Sequence, residues 1–222
     1  MNDDPRLPLV VLISGNGTNL QAIIDGARHD LPIRIRAVIS DRPGSGGLER
    51  AARAGIEATV LDYKAFADRE RYDRALMERI DSYHPGLVIL AGFMRILSPV
   101  FTGHYAGRLF NIHPSLLPKY RGLHTHQRAL DAGERLHGAS IHFVTDKLDG
   151  GPLVVQAQVP VEPGDDAERL AARVLEKEHQ IYPLAIRWFA EKRLRMDEDG
   201  HVKLDDKTLE HPVVFAPGQP IP

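Results

Sequence analysis

Leu9-Val-Val-Leu-Ile-Ser-Gly-Asn-Gly-Thr-Asn-Leu20 opens with five uninterrupted apolar residues and breaks into a polar, glycine-rich turn. A short apolar run without alternation suits a strand of a parallel sheet covered on both faces. A helical pattern follows, with Leu20, Ile23, Ile24 and Ala27 on one side. Strand, glycine-rich turn and helix together place backbone N–H groups at a helix N-terminus. Those groups and the helix dipole favour an anion, most often a phosphate. Gly15 and Gly17 let the backbone approach closely, while Thr18 and Asn19 can cap the helix or donate to a phosphate oxygen. No Gly-Lys-Ser/Thr follows, and Leu20 stands where a dinucleotide fingerprint has its third glycine. A tight strand-to-helix turn with an ordinary cap is the other reading.

The pattern repeats down the chain. Ile33–Ser40, Ala58–Leu61 and Leu87–Leu90 read as strands, and Gly46–Ala54 and Phe66–Tyr83 as helices. The second helix carries Tyr72, Leu76, Ile80 and Tyr83 on one face and ends at His84-Pro-Gly86. Strands alternating with helices predict parallel βαβ units in an open, Rossmann-like sheet. Ligands of such sheets lie beyond the carboxyl ends of the strands, where Ser14–Asn19 and Ala91–Leu97 both fall. Further on, His124–Ala132 reads as a helix, and Gly138–Val144 and Leu153–Val159 as strands joined by the short loop Thr145–Gly151. So short a connection predicts an antiparallel pair. The fold class is therefore α/β, an open mixed sheet, parallel in its first half and antiparallel in its second.

Lysine and arginine number 28 against 30 acidic residues, which gives no field to attract nucleic acid or an anionic membrane. Cysteine is absent, so disulfides, thiol nucleophiles and cysteine-based zinc sites are excluded. Met1–Pro8 lacks the basic and apolar regions of a secretory signal, and no apolar run is long enough to span a bilayer. A cytoplasmic protein is expected.

Chemistry gathers in Gly107-Arg-Leu-Phe-Asn-Ile-His-Pro-Ser-Leu-Leu-Pro-Lys-Tyr-Arg-Gly122, a short apolar strand that ends in polar residues and turns hard. Asn111 and His113 are two apart, so on a strand they share a face. Pro114 ends the strand, and Leu117-Pro118 is a candidate cis bond. With Asp149 from the later loop, this set can serve amide formation from an acyl donor. An amide N–H and an imidazolium hold a tetrahedral oxyanion, and a carboxylate orients the imidazole, favours its charged form and relays protons through water. A polar strand end is the plainer reading.

Other chemistries fit less well. Of eleven histidines, five lie between His113 and His142, yet no His-Glu-x-x-His occurs. A two-histidine, one-carboxylate set could be drawn from His113, His142 and Asp149, but no metal is expected. The Gly-x-Ser-x-Gly of a serine hydrolase is missing. Glu178 falls on the apolar stripe Leu170, Val174, Ile181, Tyr182, Ala185 and Phe189 of the last helix, which Pro163-Gly-Asp-Asp166 opens. It either faces solvent at the helix edge or contacts a ligand. Pro183 should end or kink that helix.

Three stretches together, Ile13–Gln21, Asn111–Pro118 and Thr145–Pro152, resemble the folate-dependent formyltransferase family, and the likeness runs from about Leu9 to Phe189. The resemblance implies a 10-formyltetrahydrofolate donor and, through the first stretch, the glycinamide amine of 5'-phosphoribosylglycinamide as acceptor, a step of purine synthesis. It implies catalysis by Asn111, His113 and Asp149. It places the ribonucleotide on Gly15, Asn16, Gly17, Thr18, Asn19, Pro114 and Glu178. It places folate on Arg69, Met94, Arg95, Ile96, Leu97, Thr145, Asp146, Lys147 and Leu148. Arg69 reads equally as a solvated helix charge, and His142 as a satisfied core histidine or a support to the site.

Two family relatives compete. Methionyl-tRNA formyltransferase carries a C-terminal RNA-binding domain for which this chain is too short. Formyltetrahydrofolate deformylase, a hydrolase, carries an N-terminal regulatory domain, whereas here the first strand begins at Leu9. A non-catalytic nucleotide-phosphate-binding module is the third alternative. The expected domains are a catalytic region over 1–196, with a phosphate-binding half to about 105 and a folate-binding, catalytic half after it. Residues 197–222 form an appended hairpin, turning at Asp197–Gly200, and a proline-rich arm that is partly disordered. A homodimer is one assembly state open to the chain.

Overall fold

A computed structural model describes residues 4–222. The chain forms two compact units, Met1–Phe110 and Asn111–Pro222.

In the first unit β1 (Leu7–Ile13) lies between β2 (Ile33–Ser40) and β4 (Leu87–Leu90), and β3 (Ala58–Val60) extends β2; every pairing is parallel. Leu9 to Ile13 are wholly buried, as the unbroken apolar run requires. The helices are α1 (Thr18–His29), α2 (Gly46–Arg53), α3 (Arg69–Asp81) and α4 (Pro99–His104). Leu20, Ile23 and Ile24 form the buried side of α1, and Arg28 and His29 sit favourably in its last turn.

The predicted helix Phe66–Tyr83 is shorter. Asp68 accepts the Arg71 N–H at 2.8 Å, so α3 begins at Arg69, after a separate 3-10 turn over Tyr63–Ala65. It stops before the left-handed His84 (φ 51) and Pro85, and Tyr83 lies outside it, hydrogen-bonded to Glu57. The parallel register brings the strand ends together. Ser14 N–H donates to Gly92 O (3.1 Å) and Asp41 N–H to Ile13 O (3.3 Å).

The chain leaves the first unit within β5 (Leu109–His113). In the second, β6 (Leu136–Phe143) and β7 (Leu153–Pro160) are antiparallel, as their short connection predicted. Here α5 (Thr125–Asp131) precedes β6. The long α6 (Ala167–Ala190), capped by Asp166, packs on β6 and β7. Of the two expected outcomes at Pro183, an end is not what occurs: α6 runs on past it for another seven residues. Beyond the proline it buries Leu184, Ala185, Ile186 and Trp188. Burial of such side chains, roughly 1.5–3 kcal/mol each for the larger ones, offsets the one backbone hydrogen bond lost. A small antiparallel sheet follows, β8 (Leu194–Met196), β9 (Val202–Leu204) and β10 (Lys207–Thr208), with the Asp197–Gly200 turn between its first two strands. The proline-rich arm is not wholly irregular. Its Val213–Phe215 forms β11, parallel to β7. Among the described residues no helix is long and apolar enough to cross a membrane.

Candidate active site

In the first unit the turn after β1 leaves Gly15 and Asn16 exposed and buries Gly17, Asn19 and Leu20. Gly17 is the N-cap of α1 in left-handed conformation (φ 72), and no side chain caps the helix. A Cβ on Gly17 would lie 2.6 Å from the Gly47 Cα, so both the conformation and the packing demand glycine. Strand, glycine turn and uncapped helix start are thus all present where the sequence placed an anion.

Beside that turn, the segment after β4 is pinned by Ser14, whose Oγ accepts the Met94 N–H at 2.8 Å. Arg69, Met94, Arg95 and Ile96 line one cavity of about 470 Å³ with Tyr63, Phe66 and Tyr72. Leu97 is buried, while Met94 and Ile96 are more than half exposed. The Arg95 guanidinium lies 3.9 Å over the Tyr63 ring and 3.4 Å from the wholly buried Asp41 carboxylate. The sequence reading missed the aromatic wall and Asp41. Sequence pattern marks neither Tyr63 nor Phe66 for a site, because only the turn ahead of α3 brings them to this cavity.

In the second unit Asn111 and His113 end β5, with Ile112 buried between them. The His113 Nδ1 lies 3.4 Å from Asp149 Oδ2, both side chains being less than a tenth exposed. Asp149 takes a left-handed backbone (φ 45) and its Oδ2 accepts the Gly122 N–H at 2.8 Å. The His113 Nε2 is 2.9 Å from Tyr120 O. A carbonyl only accepts, so Nε2 carries a proton. The other ring nitrogen, Nδ1, faces the Asp149 carboxylate.

His142 completes the group. Its Nδ1 donates to Phe143 O at 2.8 Å, and burial lowers its proton affinity below the ordinary histidine value, so the ring is neutral with Nε2 bare. That lone pair accepts from Asn111 Nδ2 at 3.2 Å, which fixes the amide orientation and leaves a second Nδ2 hydrogen available. The β6–β7 register shifts between Ile141 and His142, an irregularity of the kind that re-aims side chains. Gly151 is dictated by packing, since a Cβ there would meet Phe143 O at 1.9 Å.

The turn Pro114–Lys119, with its cis Leu117–Pro118 bond, is held by buried polar groups. Ser140 Oγ donates to Ser115 O (2.6 Å) and accepts from Leu117 N–H (3.1 Å). Gln156 Nε2 donates to Leu117 O (2.8 Å) and Ser140 Oγ (2.9 Å). His137 takes up the Pro114 carbonyl and pairs with His126 Nδ1 at 3.2 Å. Burial, and then the neighbouring His126, push His137 down to about 4. Gln156 carries no distinguishing signal in sequence, because β7 holds two amides, Gln156 and Gln158.

The remaining predicted residues are scattered within this unit. Thr145, Asp146, Lys147 and Leu148 form the β6–β7 loop just before Asp149, with the last three exposed. Pro114 is half-buried beside His113. Glu178 is 7% exposed on the inner side of α6, with Val174, Ile181 and Tyr182, rather than at a solvent-facing edge. Among the described residues, the group whose ligand atoms lie close enough to share a metal ion is Asp197, Asp199 and His201, in the exposed β8–β9 turn.

A model of the formyl transferase family matches residues 7–186, and the chain belongs to that family. It is 59% identical over 192 residues to phosphoribosylglycinamide formyltransferase of Escherichia coli K12, covering 86% of this chain and 91% of that one. The corresponding enzyme of Haemophilus influenzae is 48% identical over 202 residues, 90% of this chain and 95% of that one. A solved phosphoribosylglycinamide formyltransferase from Coxiella burnetii superimposes with a TM-score of 0.91 at 51% identity, covering 95% of this chain and 99% of that one. The family implies a folate-type co-substrate.

Proposed function

We propose that the protein moves the formyl group of 10-formyltetrahydrofolate onto the amine of 5'-phosphoribosylglycinamide in purine biosynthesis, by direct attack. The observation that carries the reading is the 59% identity to the Escherichia coli enzyme across a region that includes Asn111, His113 and Asp149. Their geometry supports it. The acceptor amine attacks the formyl carbon, and the carbonyl electron pair becomes an oxyanion. The second Asn111 N–H, aimed by His142, donates to that oxygen. A donor of this kind is worth roughly 3–4 kcal/mol in the transition state. His113, facing Asp149 through one nitrogen and the Tyr120 carbonyl through the other, adds positive charge. Collapse breaks the bond to the folate nitrogen, and the proton lost by the amine passes to that nitrogen through Asp149 and water. Holding two reactants together supplies a further 7–11 kcal/mol, roughly.

Gly15, Asn16, Gly17, Thr18 and Asn19 bind the acceptor phosphate, with Pro114 and Glu178 against the rest of that substrate. Met94, Arg95, Ile96 and Leu97 line the pteridine pocket, Arg69 serves the folate tail, and Thr145–Leu148 complete the folate site. The test incubates protein with a chromogenic 10-formylfolate analogue and phosphoribosylglycinamide, each omitted in turn. Deformylation that requires the amine and yields formylated acceptor is expected. Release of formate without the acceptor would overturn the transferase reading in favour of a hydrolase.

A further inference from the structure

We propose that Arg50 is a positioning residue for the phosphate of the acceptor, acting through the backbone of the Ser14–Asn19 turn; the inference rests on the phosphate-loop reading above. Helix α2 takes hold of two successive carbonyls of that turn. Gly47 N–H, in its first turn, donates to Gly15 O at 3.1 Å. Arg50 Nε, one turn later, donates to Asn16 O at 2.7 Å. The same guanidinium donates through Nη1 to Gln21 Oε1 on α1 at 3.2 Å, so this α2 side chain is also braced by α1. Its Cδ lies 3.4 Å from where a Cβ on Gly17 would stand, against the turn itself.

The consequence follows from peptide geometry. In a planar trans peptide the C=O and the N–H point in opposite directions. Drawing the Gly15 and Asn16 carbonyls toward α2 therefore turns the N–H groups of Asn16 and Gly17 away from it. Two carbonyls that would repel an anion are occupied, and two donors are set beside an uncapped helix start. The close approach of Gly17 to Gly47 is what brings Arg50 within reach, which gives the glycines of α2 a reason beyond helix packing. Arg50 need not touch the phosphate. It fixes which way the turn faces.

The experiment compares wild type, Arg50→Met and Arg50→Lys with two acceptors, phosphoribosylglycinamide and its dephosphorylated ribonucleoside. The Met variant keeps much of the side-chain volume and lacks the donor; the Lys variant keeps the charge but not the braced, two-point hold. Wild type should favour the phosphorylated acceptor strongly in kcat/KM. Arg50→Met should lose about tenfold or more of that preference through a higher KM, with kcat and the folate KM near normal, and Arg50→Lys should recover part of it. The dephosphorylated acceptor should be handled alike by all three, which a general structural role would not allow. Melting curves identify any variant that fails to fold, in which case Arg50→Lys alone decides through the same ratio. A wild type indifferent to the phosphate would overturn the phosphate-loop reading and this inference with it. A discriminating wild type with equally discriminating variants would overturn the role of Arg50 alone.

Discussion

Acidification should destabilise this protein through His137. The imidazole is 1% exposed and titrates at about 4 when folded, against about 6.5 for an unfolded histidine. Its folded value is depressed, so between those limits the unfolded chain binds the extra proton, and stability falls as pH falls. The contribution is complete above 6.5 and lost progressively down to about 4. The difference between the two values caps the loss at about 3 kcal/mol, of which about 2 kcal/mol is gone by pH 5. The structural consequence lies next to the site, because His137 secures the Pro114 carbonyl immediately after His113. The assay is urea unfolding of wild type and His137→Gln at intervals from pH 7.5 to 5. Glutamine cannot titrate, so the variant should be less stable at pH 7.5, and the gap should shrink by about 2 kcal/mol by pH 5. Parallel curves would refute the reasoning, since His137 would then titrate alike in both states.

Three further outcomes are expected. Asp149→Asn retains a residue that tolerates the left-handed backbone but removes the charge facing His113. Its kcat should fall by about a hundredfold or more; a near-normal kcat would show that the Asp149 charge is dispensable to the reaction. Gly17→Ala should lower the melting temperature, at a cost of at least about 1–2 kcal/mol from the left-handed backbone alone, and raise the KM for the phosphorylated acceptor. Calorimetry and steady-state kinetics read the two effects. Ser140→Ala leaves the Ser115 carbonyl and Leu117 N–H without their buried partner, for a loss of about 2–4 kcal/mol in urea unfolding.

The parts of this fold that were legible in sequence are those written in local pattern. Leu9–Ile13 and Leu87–Leu90 have to be buried strands because nothing polar interrupts them, and Gly15 and Gly17 announce the turn between strand and helix. The Asn111–His113 spacing places both on one face of β5, and the short Thr145–Gly151 loop forces β6 and β7 to be antiparallel. What escaped notice depends on residues far apart in sequence. Ser140 and Gln156 meet the Pro114–Lys119 turn only because β6 and β7 pair in one particular register. Asp41 and Tyr63 reach Arg95 only after β2 and the 3-10 turn have placed them. Pro183 does not end α6, since that local signal is outweighed by the buried surface of Leu184, Ile186 and Trp188. His126 and His137 showed themselves as histidines but not as a pair, because their contact is made across the fold of the second unit.

Turnover by His113→Ala under saturating folate and phosphoribosylglycinamide, with acceptor binding and melting temperature measured on the same protein, tests most directly whether formyl transfer occurs at the Asn111, His113 and Asp149 cluster. Loss of turnover by roughly a thousandfold or more, with acceptor binding and fold retained, is the predicted result. Near-normal turnover would contradict it and place the chemistry elsewhere.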